Sequence, residues 1–68
     1  MSFITAIDKI KNHSGVNGLF GKMDKVLQLA KQGYKAAQIK QGLKMVVEQY
    51  PPNPLSTTAL EVYSRRVR

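Results

Sequence analysis

Apolar residues recur along this chain at helical spacing, in four separate runs. Phe3, Ile7 and Ile10 share one face with Ile4 beside them, which predicts a short helix over residues 2–12. Ser2 is placed to cap its start, and His13-Ser14-Gly15 to end it. The second run, Leu19, Phe20, Met23, Val26, Leu27 and Ala30, is the most regular and predicts a helix opened by Asn17 and running through Gln32. Gly21 inside it costs about 1 kcal/mol relative to alanine, so its first turn is expected to fray. Gly33 is placed to close it in a left-handed conformation, with Lys31 at the negative end of the dipole.

Ala36, Ile39, Leu43, Val46, Val47 and Tyr50 form a third apolar stripe, predicting a helix from Ala36 to about Gln49. Gln38, Lys40, Gln41 and Lys44 fall on its wet face. Pro51-Pro52-Asn53-Pro54 then stops any helix, because proline has no N–H to donate and disfavours helical geometry before it. The last helix is expected to begin at Ser56 as its N-cap. Ala59, Leu60, Tyr63 and Val67 are expected to face inward, and Thr57, Thr58, Glu61, Ser64, Arg65 and Arg68 outward. Nothing alternates at period two for long enough to argue a strand. The expectation is an all-α single domain, a small bundle of three to four helices. Phe20, Met23, Tyr34 and Tyr63 read as core.

Length limits what such a bundle can do. At 68 residues the chain has room for one modest core; a domain of about 60 residues buries only about 60% of its unfolded surface. There is no cysteine, which excludes a disulfide-stapled domain and a thiolate zinc site. His13 alone cannot make a metal site. No run approaches the roughly 18 apolar residues that span a bilayer, and the start lacks the basic segment of a signal peptide.

Charge then changes the picture. Eleven Lys and Arg against four Asp and Glu give +7, which points to a polyanionic partner, nucleic acid ahead of an anionic membrane or an acidic protein. Catalysis has almost nothing to stand on. Asp8, Asp24, Glu48 and Glu61 are scattered, no Lys-Ser or Lys-Thr follows Gly15, Gly18 and Gly21 at phosphate-loop spacing, and no Ser–His arrangement occurs. No enzymatic activity and no cofactor are expected.

Residues 26–68 form one constellation. A helix closes on Ala30, Gly33 and Tyr34; a short amphipathic helix carries Ile39 and Leu43; a Ser-led helix carries Ser56, Leu60, Tyr63, Arg65 and Arg66. This resembles the tri-helical helix-turn-helix of small bacterial, plasmid and phage DNA-binding proteins. Two features differ from that pattern. Lys35 stands where a Ser or Thr cap is usual, and the stretch from Leu43 to Leu55 exceeds the usual turn of about 3–4 residues.

The resemblance implies a helix-turn-helix-like core over residues 17–68, with residues 2–12 as a packing or oligomerisation arm. It implies a recognition helix at 56–68 whose N-terminal end enters the major groove. Thr57 and Thr58 are short enough to meet thymine methyls, Glu61 to accept from a cytosine amino group, and Arg65 to reach guanine or a phosphate. The full set expected at DNA is Ser56, Thr57, Thr58, Glu61, Ser64, Arg65, Arg66, Arg68, Lys35, Gln38 and Lys44, the lysines as sequence-blind phosphate contacts. The partners expected are double-stranded DNA and a second copy of the chain, since one recognition helix covers only part of a site. The place expected is the bacterial cytoplasm, on the nucleoid, or a virion.

Plainer readings stand beside these. Ser56 and the two threonines also suit a helix start, Glu61 and Arg65 an i,i+4 ion pair, and the lysines a solvated face. A basic packing protein without sequence preference is one alternative function. A protein-binding module that docks its first helix into a partner's groove is another.

Overall fold

Ser2 opens the first helix, α1 (Phe3–Lys11), as its sequence suggests. Its backbone is extended, and its Oγ accepts from the Thr5 N–H at 3.2 Å. At the other end the Asn12 side chain donates to the Asp8 carbonyl at 3.0 Å. The computed structural model describes residues 2–12 and 18–67, so the end signal at His13-Ser14-Gly15 and the opening role of Asn17 lie outside the described residues.

Helix α2 (Leu19–Gln28) starts after Gly18, whose φ of 85° falls where side chains are strained, and no side chain caps it. Beyond Gln28 the winding tightens into a 3₁₀ turn, Leu29–Gln32, closed by Gly33 at φ 98°. The tightening corrects the expected inner stripe. Leu29 turns inward and is buried, while Ala30 is exposed. Ala30 looks into an open cavity of about 260 Å³ shared with Leu27, Tyr34 and Ile39, and is too short to be covered there. Phe20 is also less covered than its spacing predicts, 46% exposed. The neighbour it meets is Tyr63, with ring centroids 6.2 Å apart.

Helix α3 (Ala36–Val47) is slightly shorter than expected, with Glu48 as its C-cap. Lys35 stands at its N-cap without a capping side chain of its own. Gln38 supplies half of a cap instead, its Oε1 accepting from the Lys35 N–H at 3.1 Å.

The last helix, α4 (Pro54–Arg66), corrects the expected start at Ser56. Asn53 is the N-cap and accepts from the Ser56 N–H at 2.9 Å through Oδ1. Pro54 occupies the first turn, where a missing N–H costs nothing and the fixed φ already suits a helix. The proline run that stops α3 thus also starts α4. Ser56 lies inside the helix and is buried, 4% exposed.

Successive helices reverse direction. Lys11 at the end of α1 lies beside Lys22 at the start of α2, while Phe3 meets Tyr34 ahead of α3 at 5.2 Å between ring centroids. One cavity is bounded by Val47, Glu48, Ser56 and Thr57, another by Ala36, Ile39, Arg66 and Val67, so α4 returns across α3. α3 packs on every other helix, whereas α1 and α4 do not approach each other. The slab measures 32 × 27 × 15 Å between Cα extremes. Among the described residues there is no strand, and no helix is long and apolar enough to cross a membrane.

The core is one cluster. Ile7, Met23, Val26, Ile39, Leu43 and Val46 are its largest fully buried side chains, joined by Ala6, Leu29, Ala59 and Tyr63. Gly42 sits in the middle of it. A β-carbon there would come 2.6 Å from Ile7 Cδ1 and 3.1 Å from both Phe3 Cζ and Val26 Cγ1. The absence of a side chain lets α1 and α2 close on α3.

One lysine belongs to the fold. Lys22 is half-buried and donates from Nζ to the Lys11 carbonyl at 2.8 Å. It also lies 3.5 Å from Gln49 Oε1 and 5.6 Å from the centre of the Tyr50 ring. A cation between the C-terminal ends of α1 and α3 satisfies the negative ends of both dipoles. Lys22→Met keeps the aliphatic stem and deletes the charge. It is expected to lower stability by about 1–2 kcal/mol, read from urea denaturation, whereas Lys25→Met on the exposed side of α2 should change little.

Candidate nucleic-acid interface

Three stripes run along α4, and each does something different. The first is buried: Ser56, Ala59 and Tyr63, with Leu60 and Val67 half-buried. The second is an apolar flank of Leu55, Thr58 and Val62, all exposed, with Arg66 at its end. The third is polar and carries Thr57, Glu61 and Arg65, all exposed, with Ser64 half-buried. Positions four apart stand one above the other on a helix, so Thr57, Glu61 and Arg65 present a single row to solvent.

The structure separates the expected site residues accordingly. Thr57, Glu61, Ser64 and Arg65 are brought together. Thr57 Oγ1 also donates back to the Asn53 carbonyl at 3.3 Å, which leaves its methyl group and oxygen lone pairs for a partner. Thr58 turns away from this row and lines an apolar groove with Phe20 and Val62. Ser56 is buried in the packing of α4. Lys35 and Lys44 are exposed at opposite ends of α3, and Gln38 is half-buried with its oxygen committed to the Lys35 N–H. Arg68 lies outside the described residues.

Arg66 differs from Arg65 in its surroundings. Its guanidinium carbon lies 4.8 Å from the centre of the Tyr63 ring, a cation–π contact that holds the side chain against α4. Tyr63 is buried, and burial pushes its hydroxyl pKa up. The neighbouring Asp24 carboxylate pushes the same way, while Arg66 opposes both.

A folded-state pKa above the unfolded value means that the folded protein holds this proton more tightly. The resulting stability is present below roughly pH 10, the ordinary tyrosine value, and is lost as pH rises through the raised value. Tyr63→Phe is therefore expected to lose less stability than the parent as pH rises above roughly 10. Thermal melts of the two proteins across that range check it; parallel curves would mean that Tyr63 ionises as freely folded as unfolded.

Sequence reasoning missed Lys22, Gly42, Asn53 and the Arg66–Tyr63 stack. Asn53 was readable, since Asn before Pro is an N-cap followed by a first-turn proline. The i,i+3 spacing of Tyr63 and Arg66 was a weaker signal. Nothing local marks Gly42 or Lys22, because their partners lie on other helices.

Among the described residues no group of three His, Cys, Asp or Glu side chains converges. Comparison of the chain with protein-family models, with curated proteins and with solved structures gives no match.

Proposed function

We propose that this protein binds double-stranded DNA with sequence preference, reading bases with the polar row of α4. The observation that carries the reading is that row. Thr57, Glu61 and Arg65 are exposed together on a helix whose opposite side is anchored in the core, in a domain of net charge +7. A rigidly held helix with short side chains near its N-terminus and a long cation two turns on has the make-up of a major-groove reader. Thr57 faces the thymine methyl or a phosphate, Glu61 accepts from a cytosine amino group, and Arg65 donates to guanine. Lys35 and Lys44 hold phosphates and add affinity without sequence.

A second reading rests on a different observation. Lys9, Lys25, Lys31, Lys40 and Lys44 are exposed on different helices and are not gathered around α4. That spread suits a packing protein which neutralises nucleic acid of any sequence.

Selection of binding sequences from random DNA, followed by titration at two salt concentrations, separates the two. The DNA-reading protein is expected to enrich a consensus bound at least about 10³-fold more tightly than random DNA. Lys44→Ala is expected to weaken all sequences alike and reduce the salt slope by about 1. Equal binding of every DNA and RNA competitor, with no consensus, would support the packing protein. No binding at low salt would sink both.

A further inference from the structure

The joint between α3 and α4 encloses a cavity of about 310 Å³. Its apolar walls are Val47 at the end of α3, Pro52 in the connection and Leu60 on α4, with Tyr50 beside them. Two groups of a different kind open into the same space. One is the Glu48 carboxylate, on an exposed residue at the rim. The other is the hydroxyl of Ser56, a residue only 4% exposed.

The fold makes no use of that hydroxyl. At the start of α4 the Asn53 side chain donates to the Pro51 carbonyl and accepts from the Ser56 N–H, while Thr57 Oγ1 donates to the Asn53 carbonyl. None of these bonds involves Ser56 Oγ. Among the described residues no fully enclosed side-chain nitrogen or oxygen lacks a partner. Ser56 Oγ, which has none, therefore reaches open space, and the space it lines is this cavity. One turn on, the equally buried position of the same stripe is Ala59. Packing alone would be served by alanine at 56 as well, and burying a hydroxyl without a partner costs free energy. A polar atom in such a place is there for something that enters.

Charge selects what enters. Glu48 lines the cavity and no cation does, on a chain where cations outnumber acids eleven to four. An anion would be repelled by the carboxylate. The nearest cation along α3, Lys44, stands one turn before Glu48, the weaker of the two orders for an i,i+4 pair. An ammonium group has three donors and no acceptor, so one such group can serve both the carboxylate and the Ser56 oxygen. The volume lies at the small end of the range for ligand pockets, about 300–1,000 Å³, which limits the ligand to a ring or short chain. We propose that the cavity between α3 and α4 is a binding site for a small primary amine with an apolar body, its ammonium held by Glu48 and Ser56 and its body by Val47, Pro52 and Leu60. The proposal concerns the protein alone and stands whether or not α4 reads DNA.

Titration of the full chain with 2-phenylethylamine, followed by the backbone amide resonances in two-dimensional NMR at neutral pH, tests it. The expected result is a saturable shift concentrated on residues 47–50 and 56–60, with a Kd of about 1 mM or tighter. Phenylacetate and 2-phenylethanol carry the same ring without the cation and are each expected to bind at least about tenfold more weakly. Glu48→Gln is expected to weaken the amine at least about tenfold, and Ser56→Ala to weaken it several-fold. Asp8→Asn, which removes an exposed carboxylate on α1, is expected to leave it unchanged. Circular dichroism confirms that each variant is folded, and Glu48→Ala takes the place of Glu48→Gln should that variant unfold. No saturable shift up to about 20 mM amine overturns the proposal. Equal binding of the alcohol or the acid overturns it too, as does amine binding indifferent to both Glu48→Gln and Ser56→Ala.

Discussion

Gly42→Val is expected to destabilise the fold by about 3 kcal/mol or more, near the whole of what a core this small supplies. The position lies in the interior of α3, where glycine is a poor choice on propensity alone. Alanine there would gain about 1 kcal/mol if the site were open. It is not open. The first carbon of any side chain would come 2.6 Å from Ile7 Cδ1, with Phe3 Cζ and Val26 Cγ1 at 3.1 Å. Ile7 and Val26 are fully buried, so neither has free space to move into.

For alanine the gain in propensity offsets part of an overpacking cost of about 1–3 kcal/mol, leaving a small loss. Valine adds two further methyl groups to the same crossing, and nothing offsets them. In a domain of this size 3 kcal/mol corresponds to a fall in melting temperature of roughly 12–24 °C. A double-mutant cycle identifies the cause. Ile7→Val removes the methyl group that stands closest to Gly42 and alone costs about 0.5–1.5 kcal/mol. Combined with Gly42→Ala it should cost less than the sum of the two single losses. Strict additivity would mean that Ile7 is not what Gly42 makes room for.

Arg65→Ala is expected to weaken binding to the selected DNA site by about 1–3 kcal/mol, roughly 5- to 150-fold, and to relax preference at one base pair. Its neighbour is the natural control. Arg66 carries the same charge but is held on the Tyr63 ring at 4.8 Å, away from the polar row. Arg66→Ala should lower stability by about 0.5–1 kcal/mol and leave the base preference intact. Equal effects of the two substitutions on affinity, with no change in consensus, would mean that both serve only as general positive charge. Titration against the consensus and single-base variants measures both outcomes.

The parts of the fold written in local spacing were legible in the sequence. Ser2 reads as a cap because its hydroxyl needs only the N–H three residues on. Gly33 reads as a helix end because only glycine adopts its φ without strain. Ile39, Leu43 and Val46 read as core because their spacing follows the helical period. Errors arose where the chain departs from that period or where a residue has two uses. Leu29 and Ala30 sit in a tightened turn, and Pro54 both follows the end of one helical run and begins the next helix. Ser56 looked like a cap because it is a serine near a helix start, yet Asn53 holds that position.

The candidate site was legible only in outline. The row of Thr57, Glu61 and Arg65 follows from spacing along one helix. That Thr58 and Arg66 belong to a different flank depends on where α2 and Tyr63 lie, which is tertiary information. Lys22 makes the point most directly, since composition counts it as one more free cation while its ammonium satisfies the carbonyl of Lys11.

The lack of contact between α1 and α4 has a consequence for how such a protein can change over generations. Substitutions on the outer faces of the two helices are separated by the width of α3. Their effects on stability should add to within about 0.3–0.5 kcal/mol. The outer row of α4 is then free to drift through one substitution after another without a compensating change in α1. One side of the slab can then change its surface while the other keeps whatever surface selection has given it.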